Sequence, residues 1–222
     1  MEERAQGIVL RKRRLTETSL ILHWLTREQG RIATVAKGAL RPKSPFRGKL
    51  DLFFECDFSY TRSRRSDLHI LREAAARRSH PGLRVDLKKL QQAAYAAAFI
   101  EQVTETETPV PEIHELLTTW LAHLEAGEIT PLNVFAFELK LLELLGQGVD
   151  FNAAGLPAGT RQIAQLLAGG DWSVATRVKP APAQVTQLRQ FLHGFLIYHL
   201  DRLPKGRAGA VSETSAPCPA QE

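Results

Sequence analysis

The segment Lys37–Lys49 (KGALRPKSPFRGK) carries five cations, Lys37, Arg41, Lys43, Arg47 and Lys49, and no carboxylate. Two prolines and two glycines make it an extended loop rather than a strand or helix. Cations on such a loop can follow a phosphate backbone, because Lys and Arg displace its condensed counterions. Two more basic clusters occur nearby, Arg11-Lys12-Arg13-Arg14 and Arg62, Arg64 and Arg65, with Arg31 as a supporting contact. Phe46, inside the loop, is the aromatic placed to stack on a base, while Trp24 and Phe54 are expected in the core. With so little stacking, binding should be salt-sensitive and nearly blind to sequence. The alternative is a solubilising coat on an adaptor that docks another protein, its basic barrel incidental or binding RNA.

The charge distribution supports a polyanion partner. The chain has 222 residues and a formal net charge of +5. Residues 1–80 hold 18 Lys/Arg against 9 Asp/Glu, or +9, and the remainder 11 against 15, or −4. Such asymmetry between halves points to a nucleic-acid partner for the first.

Residues arranged for bond-making chemistry are missing. His114-Glu115 begins a metalloprotease motif, but Thr118 stands where the second His belongs. Gly48-Lys49 lacks the rest of a phosphate-binding loop, and Gly146-Gln147-Gly148 follows a helix rather than a strand. His193 and His199 fall on nearly opposite helix faces and cannot share a metal. Two cysteines, Cys56 and Cys218, exclude a four-cysteine zinc site; one reads as a core thiol and the other as a tail thiol. The sequence thus predicts no catalytic residue, no metal site and no cofactor. Neither a secretory signal nor a run of ~18 apolar residues is seen, so no membrane partner is expected and the chain is assigned to the cytoplasm.

The elements that must carry the cations predict an α+β chain. Short strands are read at 8–10, 19–26, 31–36 and 50–60, and a fifth opens at Leu68. Leu52, Phe54, Cys56, Phe58 and Tyr60 would share one face. Five strands with charged loops fit a small closed barrel, an OB-fold, although an SH3-like barrel would look much the same. In an OB-fold the Arg11–Arg14 run and the Arg62–Arg65 cluster would fall in the loops after strands one and four, flanking the ligand groove. Residues 1–80 form this domain, and 81–203 an all-α domain. Its first helix (83–107) should bury Leu83, Leu87, Leu90, Ala94, Ala97 and Ile100. Pro111 and Pro131 should open the next two helices, the second of them central. A loop-rich insert spans 149–180, a last helix runs from about Pro182 to Leu203, and residues 204–222 are expected to be disordered.

The segment from Glu17 to Phe53 (ETSLILHWLTREQGRIATVAKGALRPKSPFRGKLDLF) closely resembles the N-terminal signature of bacterial RecO recombination mediators. Its telling pieces are Glu17-Thr18-Ser19-Leu20, Gly30-Arg31, Val35-Ala36-Lys37-Gly38 and the basic loop leading to Leu50. Phe137–Leu142 through Leu145-Gly146 is similar to the family's central helix, and Phe195–Leu203 more weakly to its last. The resemblance implies an OB-fold followed by a helical domain, and binding and annealing of single- and double-stranded DNA. It also implies two partners, a RecR-like protein and the acidic tail of single-strand binding protein, for recombinase loading at the nucleoid. Two features depart from the family pattern. The four zinc cysteines common after the central helix are absent between Phe151 and Trp172. Phe135-Ala136 replaces the Arg that helps grip the acidic tail, leaving Lys140, one turn on, as the candidate substitute.

Overall fold

The computed structural model describes residues 2–212. Five strands, β1 (Glu2–Arg14), β2 (Leu20–Thr26), β3 (Gly30–Ala36), β4 (Glu55–Thr61) and β5 (Leu68–Arg78), form a closed barrel in the order β1-β2-β3-β5-β4. All pairings are antiparallel except β3 with β5, which aligns Ala33 with Leu68 and Val35 with Ile70. This is the OB-fold arrangement, and it leaves no open edge. β1 closes the ring because it pairs along its first half with β4 and along its second with β2. A register shift between Val9 and Arg11 provides the bend that the double pairing requires.

Strand alternation assigns β1 to two cores at once. Ala5 and Val9 face the barrel interior with Leu22, Trp24, Ile32, Phe58, Tyr60 and Leu71. Ile8 and Leu10, with Leu25 and Phe53, belong instead to the core of the helical region. Inside the barrel Trp24 stacks on Phe58 with ring centres 4.2 Å apart. Its indole Nε1 donates to Thr34 Oγ1 at 2.8 Å, so the buried N–H keeps a partner. Cys56 is buried, and burial first among causes pushes its thiol up to about 12, as befits an inert core residue. Cys218 lies outside the described residues.

After a 3-10 turn at Pro81–Leu83 come α1 (Leu87–Val103), α2 (Pro111–Ala126), α3 (Pro131–Leu144), α4 (Ala158–Gly169), α5 (Val174–Arg177), α6 (Pro182–Leu200) and α7 (Arg207–Ala210). Pro111 and Pro131 occupy first-turn positions, where a missing N–H costs nothing. α3 is central as expected: every residue from Leu132 to Leu139 is buried.

The face expected of α1 needs correction. Leu87 is 69% exposed and Ala94 is exposed, because the bulkier Tyr95, Phe99 and Ile100 set the buried stripe. Near the barrel rim, the Arg11–Arg14 run lies in β1 rather than in a loop, since its backbone pairs with Leu20–His23. Strand β4 starts only at Glu55. Phe53 takes a left-handed φ of 64° and donates its N–H to Val9 O at 2.8 Å, while Val9 N donates to Phe54 O at 3.0 Å, and the preceding loop ends there. The start of the expected disordered tail is also ordered. Arg207 is buried and forks onto Glu138, Gln92 donates to the Ala210 carbonyl, and Lys88 donates to Ser212. The rest of that tail, residues 213–222, lies outside the described residues.

Residues 149–180 contain α4 and α5, and Phe151, Leu156, Leu167, Trp172 and Ala175 of this segment pack on the helical core. Among the described residues no cluster of three or more His, Cys, Asp or Glu could hold a metal ion. None of the described helices is long and apolar enough to cross a membrane.

Candidate nucleic-acid interface

The Lys37–Lys49 loop is a chain of turns pinned into the barrel at three points. Ala39, Phe46 and Leu50 are buried with the barrel core, and Lys37, Arg41, Lys43, Arg47 and Lys49 between and beside them are exposed. Leu40 N donates to Thr18 O at 2.9 Å, which ties the loop to the β1–β2 turn. Phe46 is therefore an anchor and not an exposed stacking platform: only 7% of it meets solvent. A benzyl side chain amid so many charges gains most by covering the barrel end, a preference that residue type alone does not reveal.

The same alternation that splits β1 between two cores divides its basic run. Lys12 and Arg14 pair across from Leu22 and Leu20, the interior-facing residues of β2. They line a cleft of about 670 Å³ together with Arg13, Arg41 and Arg47. Its remaining lining is Leu20, Ala39, Leu40, Pro42, Phe46, Gly48 and Leu50, so five cations and no carboxylate surround it. Lys12 is partly neutralised by Asp51 at 2.5 Å. Arg13, Arg14, Arg41 and Arg47 form no ion pair among the described residues. The strand cluster and the loop cluster, more than twenty-five positions apart in sequence, thus converge on one surface.

Arg11 faces the other way, into a groove of about 300 Å³ shared with His23, Arg31, Ser66, Asp67, Thr106 and Glu107, and Arg13 borders both the cleft and this groove. This groove is less positive than its residue list implies. Arg11 Nε sits 3.3 Å from Glu101, and Arg31 donates to Thr104 Oγ1 at 2.8 Å and to the Thr104 carbonyl at 2.5 Å. Burial, reinforced by Arg11, Arg13 and Arg31, pushes His23 down to about 4, so its ring is neutral near pH 7. Arg31 therefore joins the barrel to the chain after α1, and its guanidinium is committed to that joint.

The β4–β5 loop divides similarly. Arg64 and Arg65 are exposed, whereas Arg62 bridges Glu3 at 2.9 Å and Glu107 at 2.8 Å. Hydrogen bonds to Glu3 hold the Arg62 guanidinium firmly in its charged form. Glu107 also meets His69 Nε2 at 2.9 Å, making it a link between barrel and helices rather than the free polar end of a helix. Lys49 lies on the far side of the basic loop, beside a hollow of about 920 Å³ where Arg4 and Arg72 alternate with Glu28, Asp57 and Glu73. Mixed charge of that kind does not make a phosphate track.

In the helical region Lys140 is half-buried. Its ammonium donates to the carbonyls of Ala168 at 3.0 Å and Gly170 at 2.6 Å and lies 5.4 Å from the Trp172 ring centre. Burial lowers its pKa, and its donors face the end of α4. Phe135 and Ala136 are buried. Sequence reasoning missed Leu40 and Pro42 as cleft residues; the only available signal was their position between the basic residues of the loop.

The family model "Recombination protein O N terminal" matches residues 1–80, and "Recombination protein O C terminal" matches residues 84–156. Relatives named DNA repair protein RecO include one from Rhodopirellula baltica, 32% identical over 63% of this chain and 52% of its own length. Another, from Idiomarina loihiensis, is 34% identical over 66% of this chain and 62% of its own length. A third, from Alkaliphilus metalliredigens, is 26% identical but aligns over 90% of this chain and 94% of its own length. The match therefore spans less than two thirds of the first two relatives and nearly all of the third. With both halves of the family pattern present in order, on a closed five-stranded barrel followed by helices, the chain belongs to the RecO family.

Proposed function

We propose that this protein binds and anneals DNA as a recombination mediator in repair, with phosphates held in the cleft between the end of β1 and the Lys37–Lys49 loop. The convergence of Lys12, Arg13 and Arg14 with Arg41 and Arg47 around an acid-free cleft is the observation that carries this reading. Lys37 and Lys43 extend it along the loop, and Arg64 and Arg65 offer a secondary contact on the β4–β5 side. The mechanism needs no bond-making. Cations neutralise the phosphates of two strands, lower their mutual repulsion and leave the bases free to pair.

The same reading gives the protein a RecR-like partner and the acidic tail of single-strand binding protein, through which recombinase is loaded on coated single strands. Lys140 is poorly placed to be the first contact for that tail, because its ammonium is engaged by Ala168 and Gly170. A fluorescence-quenching assay with complementary oligonucleotides tests the central part. Annealing faster than the uncatalysed rate, suppressed by high salt, supports the mediator. Absence of DNA binding even at low salt would favour a protein adaptor instead.

A further inference from the structure

Leu40 is a large apolar side chain that the fold holds on the lip of the most basic cleft of the barrel. It is 39% exposed, although Ala39 beside it is buried in the barrel core. Three local features fix it there. Its N–H donates to Thr18 O at 2.9 Å, Ala39 N donates to Ala36 O, and Arg41 N donates to Gly38 O at 3.1 Å. Gly38, with a φ of 68°, makes the tight turn that presents the next residues outward. Leu15, 49% exposed, sits in the β1–β2 turn that is joined to the loop through Thr18. A single exposed leucine is ordinary. Here, however, it lines the same cleft as Arg14, Arg41 and Arg47, beside the exposed Pro42.

We infer that Leu40 is a base-contacting wedge that makes the cleft prefer unpaired over paired DNA. The inference rests on the DNA-binding reading above. Phosphates seated on the arginines leave the bases of an unpaired strand with their faces open, and an apolar side chain on the cleft lip covers such a face. In a duplex those faces are stacked inside the helix, and only the phosphate contacts remain. Leu40 thereby takes the role that the buried Phe46 cannot fill, with Pro42 widening the apolar lip.

The test uses the full chain and two probes, a single-stranded oligonucleotide containing 2-aminopurine and the corresponding duplex. Leu40→Ser should weaken single-strand binding about fivefold (about 1 kcal/mol) and leave duplex binding and the salt dependence unchanged. The 2-aminopurine fluorescence change on binding should shrink in the same variant. Leu40→Trp, which retains an apolar face, should restore both readouts. A Leu40→Ser protein that binds single strands as tightly as wild type, or that loses single-strand and duplex binding equally, would overturn the wedge while leaving the phosphate cleft standing. Wild-type protein that binds neither probe would overturn the DNA-binding reading itself and the wedge with it.

Discussion

Arg207 forks onto Glu138 through hydrogen bonds of 2.6 and 2.9 Å, both partners buried and 69 positions apart in the sequence. Tyr95 donates its hydroxyl to the same Glu138 oxygen at 2.5 Å. A short C-terminal helix is thereby fastened to the middle of α3. Burial works against the charge on the guanidinium, but Glu138 and Tyr95 together outweigh it and hold the group more firmly charged.

Breaking this pair should be costly. Arg207→Ala leaves a buried carboxylate without its counter-charge, and about 3–5 kcal/mol of stability should be lost. Replacing both residues with apolar ones of similar size, Arg207→Met with Glu138→Leu, should cost much less. Urea denaturation of the two variants measures this. Equal losses in the single and double variants would show that the pair itself is not what matters.

Acid sensitivity should trace in part to His23. Its folded-state pKa of about 4 lies below the ordinary 6.5. Near pH 7 both folded and unfolded chains hold a neutral ring, and His23 imposes no pH dependence. As pH falls below 6.5, the unfolded chain takes up the proton first and stability declines until about pH 4. The slope is at most about 1.4 kcal/mol per pH unit and smaller in practice, because the ring keeps some contact with solvent. His114 and His123, also lowered mainly by burial, act in the same direction. His23→Gln should therefore flatten, without abolishing, the loss of stability between about pH 6.5 and 4; an unchanged profile would contradict the assignment.

Arg31 should behave as a joint and not as a DNA contact. Arg31→Met removes both hydrogen bonds to Thr104, at a cost of about 1–3 kcal/mol. The backbone bond from Glu107 N to Arg31 O, at 2.8 Å, survives the change. DNA affinity should change by less than about twofold, a shift expected when no phosphate contact is lost. A large affinity loss with unaltered stability would return Arg31 to the binding surface.

The strands and the basic loop were legible because they rest on local signals: period-two alternation, proline and glycine positions, and runs of like charge. Trp24 shows such a signal succeeding, since its neighbours Leu22 and Leu25 already mark a buried strand. What failed depended on partners distant in the chain. Arg11–Arg14 reads as a loop until β2 is found alongside it, and that pairing then sends Arg11 and Arg14 to different surfaces. Phe46 reads as exposed because its neighbours are charged, yet it closes the barrel end. Nothing in a Pro/Ala/Gly-rich terminus announces that Arg207 will meet Glu138. Sequence reasoning could not separate the candidate cations engaged by carboxylates or carbonyls, among them Arg11, Lys12, Arg31, Arg62 and Lys140, from Arg13, Arg14 and Arg41, which form no ion pair among the described residues.

The most direct test of the cleft is fluorescence anisotropy with a single-stranded oligonucleotide at several salt concentrations, comparing wild type with the Arg14→Ala, Arg41→Ala, Arg47→Ala triple variant. If the wild type neutralises about five phosphates, log affinity should fall with log salt at a slope of about −3.5, and the triple variant should bind more weakly with a slope shallower by about 2. A triple variant with wild-type affinity and slope would contradict the account, because the phosphates would then be held elsewhere on the protein.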